Sequence, residues 1–238
     1  MKIATYNVWN ENKGKGNRYH QLINEINAVN ADIIALQEVT TCFFNDFITK
    51  VTDYKYCVFR KYKEEDEGLA ILSRYPIKSC FFLKESEDFA FSAALNVSFE
   101  VEKLRFSFTN VHLPWDSAKA KEEQIVAIDR YIHSQKEQAD YFIMLGDFNG
   151  SLNSSVHRYL LGEQTINGNE SNPYWDELSS SFSELNGLPL KPTLDFVKNP
   201  RWGGKNTIYI PCVVDRIYIM DNLVDKILKS VEIFGIDI

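Results

Sequence analysis

Two side chains able to handle a phosphate or a divalent cation, Asp147 and Asn149, stand two positions apart just beyond the run Tyr141 to Leu145, YFIML. Five mostly apolar residues are too few for a helix and predict a buried strand, which Gly146 is expected to break just before Asp147. Period-2 geometry would then turn both side chains to the same side, at the rim where α/β sheets place their chemistry. Asp and Asn are also ordinary turn formers, so GDFN alone fits a plain strand-to-turn junction as well.

Four further residues repeat the pattern. Asn7 closes KIATYN, Glu38 follows IIALQ, His112 follows the run that ends in Asn110, and Asp215 leads DRIYI. Singly, each has a plain reading: a turn former, a surface acid, a loop histidine, and half of a salt bridge with Arg216. Jointly, strands lying side by side would bring all six side chains into one cleft. Mg²⁺ needs only one or two protein carboxylates beside water and substrate oxygens, so Glu38 helped by Asn7 or Asp147 is a sufficient site. Phosphoester hydrolysis also needs an oriented water, a task for Asp147, and donors for charge growing on the phosphoryl oxygens, a task for Asn149 and His112.

The elements that must position these residues follow from periodicity. KIATYNVW alternates and predicts a strand. From a candidate N-cap at Asn17, Leu22, Ile26 and Val29 recur at helical spacing, with Ile23 beside them, and IIALQ then predicts a second strand parallel to the first. A helix is expected over Cys42 to Val51, and strands over Tyr54 to Phe59 and from Gly68 toward Pro76. Phe91 to Phe99 and Leu104 to Asn110 predict an antiparallel hairpin, which makes the sheet system mixed. Asp116 or Ser117 should cap a helix carrying Ile125, Ile128 and Ile132. Beyond a short helix near Val156 to Leu161, about forty residues rich in Asn, Ser, Gly and Pro predict no regular structure, as in a functional loop. Strands are expected again over Val213 to Ile219 and Val231 to Ile236. The run Lys63 to Glu67, KEEDE, reads as a solvated loop tip.

Composition narrows the class. The 238 residues are 45% hydrophobic and 25% charged, which predicts one ordered domain with a substantial core. No apolar run reaches the ~20 residues of a membrane span and the N-terminus lacks signal-peptide features, so a cytoplasmic location is expected. Cys42, Cys57, Cys80 and Cys212 are scattered and read as reduced, mostly buried thiols. A net charge of −7 argues against sequence-indifferent polyanion binding but leaves room for a local basic groove.

TYNVW, LQEV, GLAILSR, NVHL, GDFN and VVDRIYI, in that order, resemble the motifs of the endonuclease/exonuclease/phosphatase superfamily of deoxyribonuclease I-like, metal-dependent phosphoesterases. The resemblance runs from Tyr6 to about Ile219. It implies a four-layered α/β sandwich, two mixed β-sheets packed face to face and flanked by helices, with Mg²⁺ or Mn²⁺ as cofactor and water attacking phosphorus. Carried over by motif, Glu38 would be the principal metal ligand and Asn7 would support metal and phosphate. Asp147 would orient the nucleophilic water, Asn149 and His112 would stabilise the phosphoryl oxygens, and Asp215 would orient a histidine. The superfamily pattern ends in a Ser-Asp-His motif before a last strand. This sequence ends FGIDI without it, and a single domain over 1–238 lacking that motif and strand is expected, through truncation in preference to natural loss.

Substrate choice in such a scaffold belongs to the loops. Trp115, between Pro114 and Asp116, and the patch of Lys198, Arg201, Trp202 and Lys205 are the candidates, able to hold a phosphate and stack on a base or ring. A nucleic-acid phosphodiesterase is the first expectation. An inositol-phosphate or sphingomyelinase-like phosphoesterase is the second, supported by PCVVDRI but opposed by Gly150, Ser151 and Leu152 where an Arg commonly follows GDxN. A binding relative that has lost turnover is the third.

Overall fold

The predicted strand, helix, strand unit opens the chain as β1 (Ile3–Asn7), α1 (Arg18–Val29) and β2 (Ile33–Thr40). The two strands are parallel, paired from Ile3 with Ile33 to Asn7 with Gln37. This computed structural model describes residues 1–9, 18–63, 65–83, 93–199, 210–220 and 228–235. A π-helical segment (Phe43–Ile48) runs into the short α2 (Thr49–Val51), where one longer helix was expected. The strands β3 (Tyr56–Lys61) and β4 (Glu67–Ser73) then complete a four-stranded sheet in the order β1-β2-β4-β3.

The second sheet has six strands. Its members are β5 (Ser79–Leu83), β6 (Ala93–Val101), β7 (Leu104–His112), β8 (Tyr141–Asp147), β9 (Trp175–Glu177) and β10 (Asp215–Met220), in the order β5-β6-β7-β8-β10-β9. The predicted hairpin is β6 with β7, antiparallel, and β7 then runs parallel to β8. Helices α3 (Ala118–Ser134), α4 (Ser155–Leu160) and α5 (Leu178–Leu185) belong to this half. Ser117, not Asp116, caps α3 by accepting from the Ala120 amide.

Alternation along single strands creates the layers. In β2, Ile33 and Ala35 join Leu69 and Ile71 against Leu95, Val97, Phe108 and Ile143 of the other sheet, whereas Ile34 and Leu36 face Leu22, Ile23 and Ile26 of α1. On the far side, Val111, Phe142, Met144 and Tyr218 pack on Ile125, Ile128 and Ile132 of α3 and Val156 of α4. Strands buried on both faces have no use for polar side chains, which is why IIALQ and YFIML read as continuous apolar runs. Three cores between four layers make the α/β sandwich that the motifs implied.

Polar side chains inside this sandwich are tied together. Gln37 Nε2 donates to Asn110 Oδ1 (2.7 Å), and Asn110 Nδ2 donates to the carbonyls of Leu36 and Ala70 (2.9 Å each), joining the two sheets next to the rim where Glu38 and His112 emerge. Such a fully satisfied network fixes the register of one sheet on the other.

Several expectations give way. Strand β8 does not break at Gly146 but passes through it, because a Cβ there would lie 1.8 Å from the Val111 carbonyl oxygen and only glycine lets β7 approach. The stretch expected to lack regular structure contains β9 and α5, held by a buried ion pair between Arg216 and Glu177 (3.9 Å), so Arg216 does not pair with Asp215. β5 was not foreseen. Residues 231–235 form no strand, and Ile236 lies outside the described residues. The four cysteines are free, but Cys42 is exposed and the others are only partly covered. Among the described residues no helix is long and apolar enough to cross a membrane.

Candidate active site

Asn7 is the hub of the cleft. Ending β1, it donates through Nδ2 to Glu38 Oε1 (2.9 Å) and to Asp147 Oδ2 (3.0 Å), while its Oδ1 accepts from the Trp9 amide (2.8 Å). Glu38 reaches this point by backbone distortion. Its φ is +57°, and the pairing of β2 with β4 shifts register between Leu36 and Val39, so the carboxylate is re-aimed by a bulge within the strand, which continues to Thr40.

Three adjacent strands supply the rest. Asp147 is paired with His112 on one side and with Asp215 on the other. His112 Nε2 stands 3.9 Å from Glu38 Oε1. Asn149 lies past the end of β8 and reaches the same cleft by a turn, not by strand alternation: its φ is +46°, and its amide donates to Asp147 Oδ1 (2.8 Å). Its side-chain Nδ2 donates to the Leu113 carbonyl (2.9 Å), and its own carbonyl accepts from Lys121 Nζ (2.8 Å). Burial lowers the Lys121 pKa against the opposing pull of Asp147 and Asp116.

Glu38, Glu67, Asp147 and Asp215 all line the cleft. Burial first, and then the charge of Asp147, push the Asp215 pKa up, with a hydrogen bond to Thr193 acting against them. Asp215 Oδ1 is buried without a hydrogen-bond partner. Glu67 opens β4 and lines the same cleft, so its placement in a solvated loop tip is overturned; burial and the charge of Glu38 push it up to about 7. Carboxylate oxygen donors that crowding and burial disfavour as bare charges suit a hard divalent cation. Among the described residues no three His, Cys, Asp or Glu side chains are grouped to cage a metal, and Mg²⁺ asks for no such cage.

Of the substrate candidates, Trp115 lines the cleft with 78% of its surface exposed, and Lys198 lines it as well, 4.0 Å from Asp195. Arg201, Trp202 and Lys205 lie outside the described residues. Asp215 makes no hydrogen bond to a histidine among the described residues. His133 and His157 are engaged elsewhere, with Asp129 and Pro173 and with Tyr218, and His20 packs on Phe47. Gln37, Asn110, Glu67 and Thr193, which accepts from the amides of Val214 and Asp215 (3.1 Å each), were not named as site residues from the sequence; a Gln just before Glu38 and an Asn two before His112, polar residues inside strands, were the available signal.

Residues 4–225 match the Endonuclease/Exonuclease/phosphatase family. The chain belongs to that family. Its members are phosphoester hydrolases. A probable CCR4-Not complex 3'-5'-exoribonuclease subunit Ccr4 from Vairimorpha ceranae is 24% identical over 255 residues, covering 90% of this chain and 52% of that protein. The chain thus spans about half the length of the curated relative it matches. In fold it is similar to TDP2 of D. rerio, solved with a single strand DNA product (TM-score 0.68, 14% identity, 92% of this chain and 83% of the other). It is similar also to a mannosyl-6-phosphatase of Bacteroides thetaiotaomicron (TM-score 0.73, 17% identity, 93% and 86%).

Proposed function

We propose that this family member hydrolyses phosphodiester bonds in nucleic acid by metal-assisted attack of water on phosphorus. The observation that carries the proposal is the bridge from Asn7 to Glu38 and Asp147, carboxylates on different sheets brought to one amide, with His112 and Asp215 on the strands either side of Asp147. Glu38, with Asn7 beside it, would hold Mg²⁺ or Mn²⁺, which when bound supplies positive charge to the phosphoryl oxygens. Asp147, whose Oδ2 accepts from Asn7 and whose Oδ1 accepts from the Asn149 backbone amide, would orient the attacking water through a remaining lone pair. His112 Nε2 and the second Nδ2 hydrogen of the Asn149 side chain would donate to the oxygens on which charge grows. Asp215, beside Asp147 with one buried oxygen lacking a hydrogen-bond partner, would orient a proton-carrying group.

Exposed Trp115 and Lys198 support a strand of nucleic acid as substrate, one by stacking and the other by pairing with phosphate. The relatedness to an exoribonuclease subunit points the same way. A phosphomonoester or phospholipid headgroup is the second reading, favoured by the fold shared with a mannosyl-6-phosphatase.

The test is hydrolysis with Mg²⁺ of single-stranded RNA, single-stranded DNA, abasic duplex, inositol polyphosphates and sphingomyelin. Cleavage of an oligonucleotide, abolished by chelation, is expected. Turnover confined to the inositol or lipid substrates would replace the first reading by the second, and turnover of none would leave a binding relative.

A further inference from the structure

We propose that Tyr62 is a positioning residue that fixes the tautomer and orientation of His112; this rests on the reading of the cleft as a phosphoester-hydrolase site. The Tyr62 hydroxyl lies 2.8 Å from His112 Nδ1, and both side chains are buried, at 1% and 7% exposure. On the other edge of the ring, Nε2 stands 3.9 Å from Glu38 Oε1.

A neutral imidazole carries one proton, and the bond made at one nitrogen decides the state of the other. Were Nε2 bare, its lone pair would face the Glu38 carboxylate. The proton therefore belongs on Nε2, and Tyr62 donates its O–H to Nδ1. Both contacts select the same tautomer, the one that turns an N–H donor toward the cleft where a phosphoryl oxygen needs it. Without the hydroxyl, Nδ1 would be buried and unpaired, and the proton could reside on either nitrogen.

The bond also crosses the sandwich. Tyr62 follows β3 of the four-stranded sheet, where its amide donates to the Glu67 carbonyl (2.8 Å), whereas His112 ends β7 of the six-stranded sheet. A mere tie between sheets is the competing explanation. Gln37 and Asn110 already provide one two residues earlier on β7, so the Tyr62 contact is not needed for that purpose.

Tyr62→Phe, His112→Ala and the double variant would be assayed with Mg²⁺ on a fluorophore-labelled single-stranded RNA. Imidazole ¹⁵N spectra would be recorded on the metal-free protein, where four histidines make the His112 signals assignable by difference. In Tyr62→Phe, kcat should fall about tenfold with KM little changed, a fraction of the ~10²-fold or more that a whole donor supplies. No further loss is expected when Tyr62→Phe is added to His112→Ala. The His112 spectrum should pass from an Nε2–H tautomer to a mixture. Losses that multiply in the double variant, or an unchanged His112 spectrum in Tyr62→Phe, would overturn the proposal. If the wild type cleaves no oligonucleotide, the nuclease reading fails on its own, and the spectra, which need no substrate, still decide whether Tyr62 sets the tautomer.

Discussion

Asp215 and Asp147 stand directly opposite each other on the antiparallel pair β10 and β8. Burial disfavours the charged form of Asp215, and the like charge of Asp147 opposite adds to that. That combination raises the Asp215 pKa from its ordinary 3.8, against the hydrogen bond with Thr193. A carboxyl group raised on folding contributes most when protonated: its contribution is full below its ordinary pKa and is lost as pH rises through the raised value. Asp215→Asn keeps the shape and removes the charge. In chelator, its melting temperature should exceed the wild type's at about pH 8, by roughly 2–4 °C per kcal/mol relieved, and match it near pH 4. A variant less stable than wild type at the higher pH would show that the charge is already neutralised.

Neutralisation is what a divalent cation would provide, and the effect should be measurable without substrate. Mg²⁺ should raise the wild-type melting temperature by mass action, and Glu38→Ala should abolish that rise. Glu38→Ala and Asp147→Ala should each reduce turnover by ~10²-fold or more while far-ultraviolet circular dichroism stays unchanged. Near-normal rates with Mg²⁺ in either variant would remove that residue from the site.

The legible part of this site is the part that interrupts a two-sided apolar run. Asp147 is conspicuous because the residues before it are buried on both faces of β8, so a polar side chain there marks the rim, whereas Asn7 and His112 close alternating strands and stand out only as the polar ends of β1 and β7. Glu38 was legible in identity but not in mechanism, since nothing in LQEV shows that a bulge with φ of +57° aims it. Tyr62 and Glu67 were hidden for the opposite reason. Tyr62 precedes a charged run and Glu67 ends it, and charge density along a sequence cannot show that the chain at either end folds inward to the cleft of His112 and Glu38. Gln37 and Asn110 read as odd polar residues in strands until each is seen to satisfy the other across the two sheets. Glu177 fell in a stretch whose Asn, Ser, Gly and Pro content concealed a strand and a helix built around one buried partner from β10.

That partner is Arg216. Both it and Glu177 are 1% exposed, and Glu177 also caps α5 by accepting from the amides of Ser179 (3.1 Å) and Ser180 (2.7 Å). Arg216 keeps a bond from its NH2 to the Val213 carbonyl (2.9 Å), but its Nε and NH1 have no hydrogen-bond partner. Removing the carboxylate leaves a buried cation uncompensated. Glu177→Ala should therefore lower the free energy of urea unfolding by ~3–5 kcal/mol. A loss below about 1 kcal/mol, the size of a helix cap alone, would mean that water reaches Arg216.

A half-buried histidine of the same half titrates. His133 Nδ1 lies 2.8 Å from the Asp129 carbonyl and 3.1 Å from its Oδ1, and Nε2 lies 3.0 Å from the Pro173 carbonyl. Such oxygens only accept, so both ring nitrogens carry protons and the ring is an imidazolium. Burial opposes that charge, but the hydrogen bond and charge of Asp129 outweigh it and push the pKa from 6.5 up to about 9. A histidine raised on folding stabilises fully below its ordinary pKa, and the contribution disappears as pH rises through the folded value. Asp129 keeps its bonds from Tyr159, Ser171 and Trp175 throughout, so the loss is specific to His133 and to its hold on the Pro173 segment. Urea unfolding between about pH 6 and pH 10 should show the wild type losing stability across this window and His133→Gln losing much less. Parallel losses in the two proteins would place the titrating proton elsewhere.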